Sequence, residues 1–365
     1  MALYRLPATP DTCQWGTFDG RLAPVLTIRS GDMVTMDCIT HRAGDAPDYL
    51  MTPAIRALYD ALWPRKGPGA HIVTGPIAIE EARAGDTLEV RFLAADAPLL
   101  YGSNLAAAWG VLYPQSGIPG ISAREYMTLY RIHLTAGVAE PLWQADYPFP
   151  AGDPRHGGVI PVHMTERKPV VPGARVPLRF HLGIAGVAPD TADPVSTTPP
   201  GVFGGNVDNR DFGVGTRMFY PIFTDQALFW AGDPHLAEGD GEVSGTAVEG
   251  HLQVTLAFYV HKNSFPLRTP VLETGSAWMV HGFHTDLNAA LTMAVEEAVH
   301  FLADRWRIPM TEAYSLLSTA ADFRITQAVN RVKGVHAVVR KDLFQGRSPH
   351  TNAAPEHGMP PADRV

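Results

Sequence analysis

Cysteine is nearly absent: Cys13 and Cys38 are the two in 365 residues. A disulfide-stapled scaffold is thereby excluded, and so few thiols in a long chain fit a reducing compartment, which makes a cytoplasmic location the expectation. Positive charge is short as well. With 29 Lys and Arg against 37 Asp and Glu, the formal net charge is −8, a balance that repels a phosphate backbone and predicts no nucleic-acid partner. Long apolar runs are missing too. Nothing approaches the ~20 apolar residues of a membrane span, and Met1 to Pro7 carries neither an apolar core nor a cleavage-type site. No membrane partner is expected.

Glycine and proline, by contrast, are plentiful: 34 and 32 residues, beside a 45% hydrophobic fraction. Both are costly inside helices and punctuate strands and turns, so short strands joined by tight turns are predicted. Pro24 to Ile28, Ser30-Gly31-Asp32 and Met33 to Asp37 read as a strand, turn and strand, and Ile77 to Glu80, Ala84-Gly85-Asp86 and Thr87 to Phe92 repeat the form. Val170 to Ala174 before Arg175 to Phe180 is a third instance. All three predict hairpins of a sandwich or barrel.

The period turns helical only late. From the N-cap Asp286, Leu287, Leu291, Val295, Ala298 and Leu302 recur at helical steps, Pro309 stops the run, and Thr311 is the expected cap of a second helix. The fold class is therefore mainly β, of α+β type. A β-sandwich or barrel-like N-terminal domain is expected over 1–188. An intimately packed β-rich C-terminal domain with the two late helices follows over 189–345, then a tail over 346–365.

The densest polar stretch runs from Gly204 to Glu249. On an extended chain residues i and i+2 share a face, which pairs Asp233 with His235 and Asp240 with Glu242. A carboxylate–imidazole pair beside a carboxylate pair suits a hydrolytic metal site: ligands hold a Lewis acid, and a free carboxylate takes the proton from its water. Taken singly, each of these residues reads as turn chemistry or surface charge; the density of acids between apolar strands is what favours a site. His71, a lone imidazole before a strand, reads on its own as structural; Gly282 argues against a helical face shared by His281 and His284, which read as surface residues or as support behind ligands. P-loop, dinucleotide and Gly-x-Ser-x-Gly motifs are absent.

Several of these segments, in order along the chain, resemble the acetamidase/formamidase family. They are Trp15 to Asp19, Ser30-Gly31-Asp32, His71 through Thr74-Gly75-Pro76-Ile77, Gly204 to Asp211, Gly232-Asp233, Gly239 to Glu242 with Glu249, and Glu312 to Ser318. The resemblance implies a β-rich fold, hydrolysis of short amides such as formamide or acetamide to ammonia and an acid, a divalent metal (zinc or calcium) and a homo-oligomer. This chain departs from the family pattern at Phe203, where a His is usual, and at Glu238, where a Gln is usual. A larger amide or a carbamate is accordingly an alternative substrate.

Taken with the resemblance, the metal ligands are expected among His71, Asp208, Asp233 and His235. Glu242 is expected as general base and then proton donor, Asp240 as the group orienting a ligand, and Asn206 with the Gly204 and Gly205 amides as oxyanion donors beside Phe203. Two rival readings stand next to this one: a metal-free amidase using Cys38 as nucleophile, and a non-catalytic binding protein of the same fold.

Overall fold

The computed structural model describes residues 1–113, 116–119, 121, 124–170, 172–262, 267–344 and 346. The tail expected beyond Gly346, and Val171 in the third expected hairpin, lie outside the described residues. The chain is mostly β, built from two large sheets and a small two-stranded one. One large sheet has nine strands and orders Leu3–Leu6, Met33–Cys38, Leu252–His261, Thr87–Asp96, Arg217–Pro221, Val271–Glu273, Ala277–His284, Lys333–Arg340 and Ala321–Gln327. The other has thirteen strands and is branched, with Ile72–Ile79 and His181–Val187 both paired to Phe229–Ala237. Among the described residues neither sheet closes on itself, so the architecture is a sandwich and not a barrel.

The main core lies between the sheets. Val34, Met36, Val90, Phe92, Leu256 and Phe258 of the nine-stranded sheet pack with Val73, Ile77, Leu182, Ile184, Phe229 and Trp230 of the other. Strands from either side of residue 188 interleave in both sheets.

The expected hairpins are something else. Leu26–Ile28 pairs in parallel with Ile72–Ile79, while Met33–Cys38 pairs with Leu3–Leu6 and Leu252–His261. The turn between them therefore carries the chain from one sheet to the other. Ala84-Gly85-Asp86 does the same between Ile72–Ile79 and Thr87–Asp96. Both turns share one construction: Gly31 and Gly85 take φ of +95° and +88°, and Asp32 and Asp86 accept hydrogen bonds from the amides of Arg29 (3.0 Å) and Arg83 (2.8 Å). Lys168–Pro169 and Val176–Pro177, at the third place, each pair with Val138–Asp146 and not with one another.

The late helices form as expected, with adjusted ends. Asp286 caps Leu287–Trp306 by accepting from the Ala289 amide at 2.9 Å, and Arg307 closes it in a left-handed conformation. The next helix, Met310–Ala320, is preceded by Pro309, so Thr311 sits inside its first turn and is not its cap. Both pack against the nine-stranded sheet through Trp278, Val280, Phe301, Leu302, Ala313 and Leu317. No described helix is long and apolar enough to cross a membrane.

Candidate metal centre

Phe229–Ala237 is buried along its whole length and brings Asp233 and His235 inward together, His235 Nε2 lying 3.3 Å from Asp233 Oδ2. The neighbouring strands complete the surroundings. His71 stands at the start of Ile72–Ile79 and places Nε2 3.6 Å from the same Asp233 oxygen, while its Nδ1 is held by the Thr197 carbonyl at 3.1 Å. His41, just beyond Met33–Cys38, places Nδ1 3.3 Å from Asp233 Oδ1. Glu249 of the two-residue strand Val248–Glu249 puts Oε1 3.3 Å from His235 Nε2. Asp208 enters from the turn after Gly204–Asn206, and Asn330 donates an amide hydrogen to its Oδ2.

Three of the acids hold strained backbones: φ is +50° at Asp208, +50° at Asp233 and +45° at Glu242. A left-handed conformation costs an L-residue roughly 1–2 kcal/mol. Its recurrence at three carboxylates of one buried cluster is the pattern of a functional site.

The electrostatics follow from burial. Burial pulls His41 down to about 4, with His71 adding to the effect, and it lowers His71 itself. At Asp233 burial is outweighed by the imidazoles of His71 and His235, which hold the carboxyl well below the usual range. At Asp208 burial wins, and the charges of Asp233 and Glu238 push it further up. Glu242 is pushed well above the usual range by burial, with Asp208 and Glu238 adding. His235 is raised because Glu249 and Asp233 outweigh its burial.

A divalent cation fits this donor set. His41 Nδ1, Asp208 Oδ1, Asp233 Oδ1, His235 Nε2 and Glu242 Oε2 are all buried without a hydrogen-bond partner, an arrangement native interiors rarely tolerate. Their residues fall into overlapping groups whose ligand atoms lie within 4.8 Å of one another: His41, His71 and Asp233; Asp208, Asp233 and His235; His235, Glu242 and Glu249. Gly183 leaves room for them. A Cβ there would stand 2.7 Å from His235 Cε1, 2.8 Å from Asp233 Oδ2, and against Asp208 Oδ1.

Of the residues expected at the site, His71, Asp208, Asp233, His235 and Glu242 come together here. Asp240 does not: Asp240 to Glu242 is a turn and not a strand, so the same-face premise fails, and Asp240 sits half-exposed against Arg210 Nε at 2.8 Å. Phe203 packs edge-on against Phe18 in the hydrophobic core. Gly204 and Gly205 lie in a strand flanked on both sides, where a Cβ on Gly204 would meet the Ala185 carbonyl at 2.5 Å. Asn206 spends an amide hydrogen on the Thr198 carbonyl. His281 is fully buried in Ala277–His284, a strand, so no helical face is shared with His284. Cys38 is wholly buried and its thiol is pushed well up by burial, the opposite of an activated nucleophile.

Residues 191–345 match the model of the Acetamidase/Formamidase family. Over that stretch the chain is similar to the acetamidase/formamidase family. The acetamidase of Mycolicibacterium smegmatis is 28% identical over 207 residues, 48% of this chain; the match spans about half the length of that relative, 49%. The acetamidase structure from Bacillus halodurans, 26% identical, superimposes with a TM-score of 0.69 over 92% of this chain and 97% of that one. The acetamidase from Yersinia enterocolitica shares the fold at a TM-score of 0.73 over 93% and 92% of the two chains, with 22% identity. His41, His71 and His181 precede the stretch matched to the acetamidase/formamidase family model, and the structure joins them to the acids within it. Sequence reading passed over His41, His181, Glu238, Glu249 and Asn330 as site residues. His41 and His181 carry no distinguishing signal, because His251, between two strands, and His281, within Ala277–His284, are equally buried and are structural.

Proposed function

We propose that the chain hydrolyses a short linear amide of the formamide or acetamide type to ammonia and a carboxylate, at a divalent-metal centre. The observation that carries this reading is the set of buried, unpartnered carboxylate and imidazole atoms around Gly183. His41, His71 and Asp233 would hold the ion on one side, with Asp208 and His235 on the other; imidazoles favour zinc and a carboxylate-rich set favours calcium. When bound, such an ion polarises the amide carbonyl and lowers the pKa of water.

The chain's own residues do the rest. Burial pushes the Glu242 carboxyl well above its usual range, so this carboxyl can hold a proton and hand it to the departing amine, as a tuned general acid does. Asn330, whose backbone N–H donates to Gln327 Oε1 at 3.1 Å, orients Asp208 through its side-chain amide. The Thr197 carbonyl fixes the tautomer of His71. Tight burial of the cluster favours small substrates.

The test is ammonia release from formamide, acetamide, longer amides and carbamates, run beside metal analysis of the purified protein. Turnover of a short amide by protein carrying stoichiometric divalent ion is expected, with Glu242→Gln slower by about 10²–10⁴-fold and still metal-loaded. Metal-loaded protein that releases no ammonia from any of these substrates would sink the proposal. Near-native turnover by Glu242→Gln would remove Glu242 from its role.

A further inference from the structure

Behind His235, on the side away from Asp233, lies a buried polar group that the reaction itself does not use. Glu238, at the end of the Phe229–Ala237 strand, has a side chain only 1% exposed. Its Oε2 lies 2.7 Å from His181 Nε2 and 2.9 Å from His235 Nδ1, while Oε1 has no hydrogen-bond partner. One carboxylate oxygen thus meets two imidazoles, whose facing nitrogens are 3.1 Å apart.

The far side of His181 is fixed as well. Its Nδ1 lies 2.6 Å from the Arg179 carbonyl, which can only accept, so Nδ1 carries a hydrogen. With Nδ1–H spent on the backbone, the contact between Nε2 and Glu238 Oε2 needs one more hydrogen, shared by the pair, and that hydrogen ties His181 and Glu238 together. The remaining approach to Oε2 comes from His235 Nδ1, which donates to it. The other end of the ring, Nε2, is directed at Asp233 Oδ2 and Glu249 Oε1, 3.3 Å from each, where a bound cation would take the place of its hydrogen. It hydrogen-bonds to neither. A ring nitrogen aimed between two carboxylate oxygens is the geometry of co-ligands around a cation, and a carboxylate behind the ring fixes its orientation in this way.

We infer that Glu238 is a positioning residue, locked by His181, that holds His235 by its Nδ1–H and aims Nε2 into the metal centre. The inference rests on reading the buried cluster as a divalent-metal site. Glu238→Gln separates charge from orientation: the amide oxygen can take the place of Oε2, and the amide nitrogen then occupies the position of Oε1, which has no partner. Glu238→Ala removes the acceptor entirely.

The experiment is nitrogen NMR of 15N-histidine-labelled, zinc-loaded protein, with His235 assigned by the signal lost in His235→Asn. Zinc titration against a chromophoric chelator follows for wild type, Glu238→Gln and Glu238→Ala. His235 should be an Nδ1–H tautomer in wild type and Glu238→Gln. Glu238→Ala should weaken zinc binding by about 10–100-fold, with the Gln variant recovering most of the affinity. An Nε2–H tautomer at His235 in wild type overturns the inference, and that measurement stands even if Glu238→Ala does not fold. Wild-type zinc affinity in folded Glu238→Ala overturns it too, while leaving the metal reading intact. Failure of the wild type to take up zinc removes both.

Discussion

Gly183 does for the site what no side chain could. It is the third residue of His181–Val187, and the space beyond its Cα belongs to Asp208, Asp233 and His235. A methyl group there presses on atoms that must converge, and small displacements of ligands or their supports typically cost 10–100-fold in metal affinity. Gly183→Ala should therefore keep its far-UV circular dichroism and lose zinc affinity by about that factor; unchanged affinity would show that the three side chains do not share an ion. At this scale the sequence was informative about acids and poor about their partners. Asp233, His235 and Glu242 stood out because they share a stretch dense in Gly and Asp. His41 and His181 did not, because what makes them functional is a neighbour far along the chain, and local pattern carries no trace of that.

Turns and caps were legible at the scale of elements; pairing was not. Gly31-Asp32 and Gly85-Asp86 announce tight turns through positive φ and an Asp that caps the backbone. Whether such a turn folds a strand back on its neighbour or sends it to the facing sheet depends on which surface remains to be covered. Ile72–Ile79 is buried at every position, and it pairs with strands from three distant parts of the chain. The helix Leu287–Trp306 makes the same point. Asp286 marks its start, but the sequence does not reveal that it lies on the strand Ala277–His284 through a glycine. A Cβ on Gly282 would reach the Ala290 carbonyl at 2.5 Å and Ala294 Cα at 2.8 Å. Both are backbone atoms, so the helix itself would have to move. Gly282→Ala should cost at least about 1–3 kcal/mol, as overpacking does, read as a lower urea midpoint; an unchanged midpoint would mean that the helix can slide freely on the sheet.

Across the whole molecule, buried neutral histidines couple stability to pH. His281 donates from Nδ1 to the Pro270 carbonyl at 2.8 Å and accepts at Nε2 from Asn209 at 2.9 Å. His251 donates from Nε2 to the Leu50 carbonyl at 2.8 Å and accepts at Nδ1 from the Thr40 amide at 3.4 Å. Neither has a place for a second proton, and burial lowers each from 6.5 to about 4. The unfolded chain takes up these protons first. Stability held above pH 6.5 is therefore lost as pH falls toward 4, by up to about 3 kcal/mol per histidine. Urea unfolding between pH 7 and 4.5 should show the loss, and His281→Gln, which cannot take up that proton, should show a shallower one; parallel curves for the two would refute the assignment. The span of the site along the chain has a further consequence, for folding. Thr40 meets Glu249 across 209 positions, His71 meets Thr197 across 126, and Asn330 meets Asp208 across 122. Closing such loops precedes any reward from the contacts they bring, so the centre belongs to the late, slow part of folding. It is also indivisible: a fragment cut at residue 191 would inherit the carboxylates and none of the three upstream histidines, so this chemistry cannot be passed between proteins as a movable cassette.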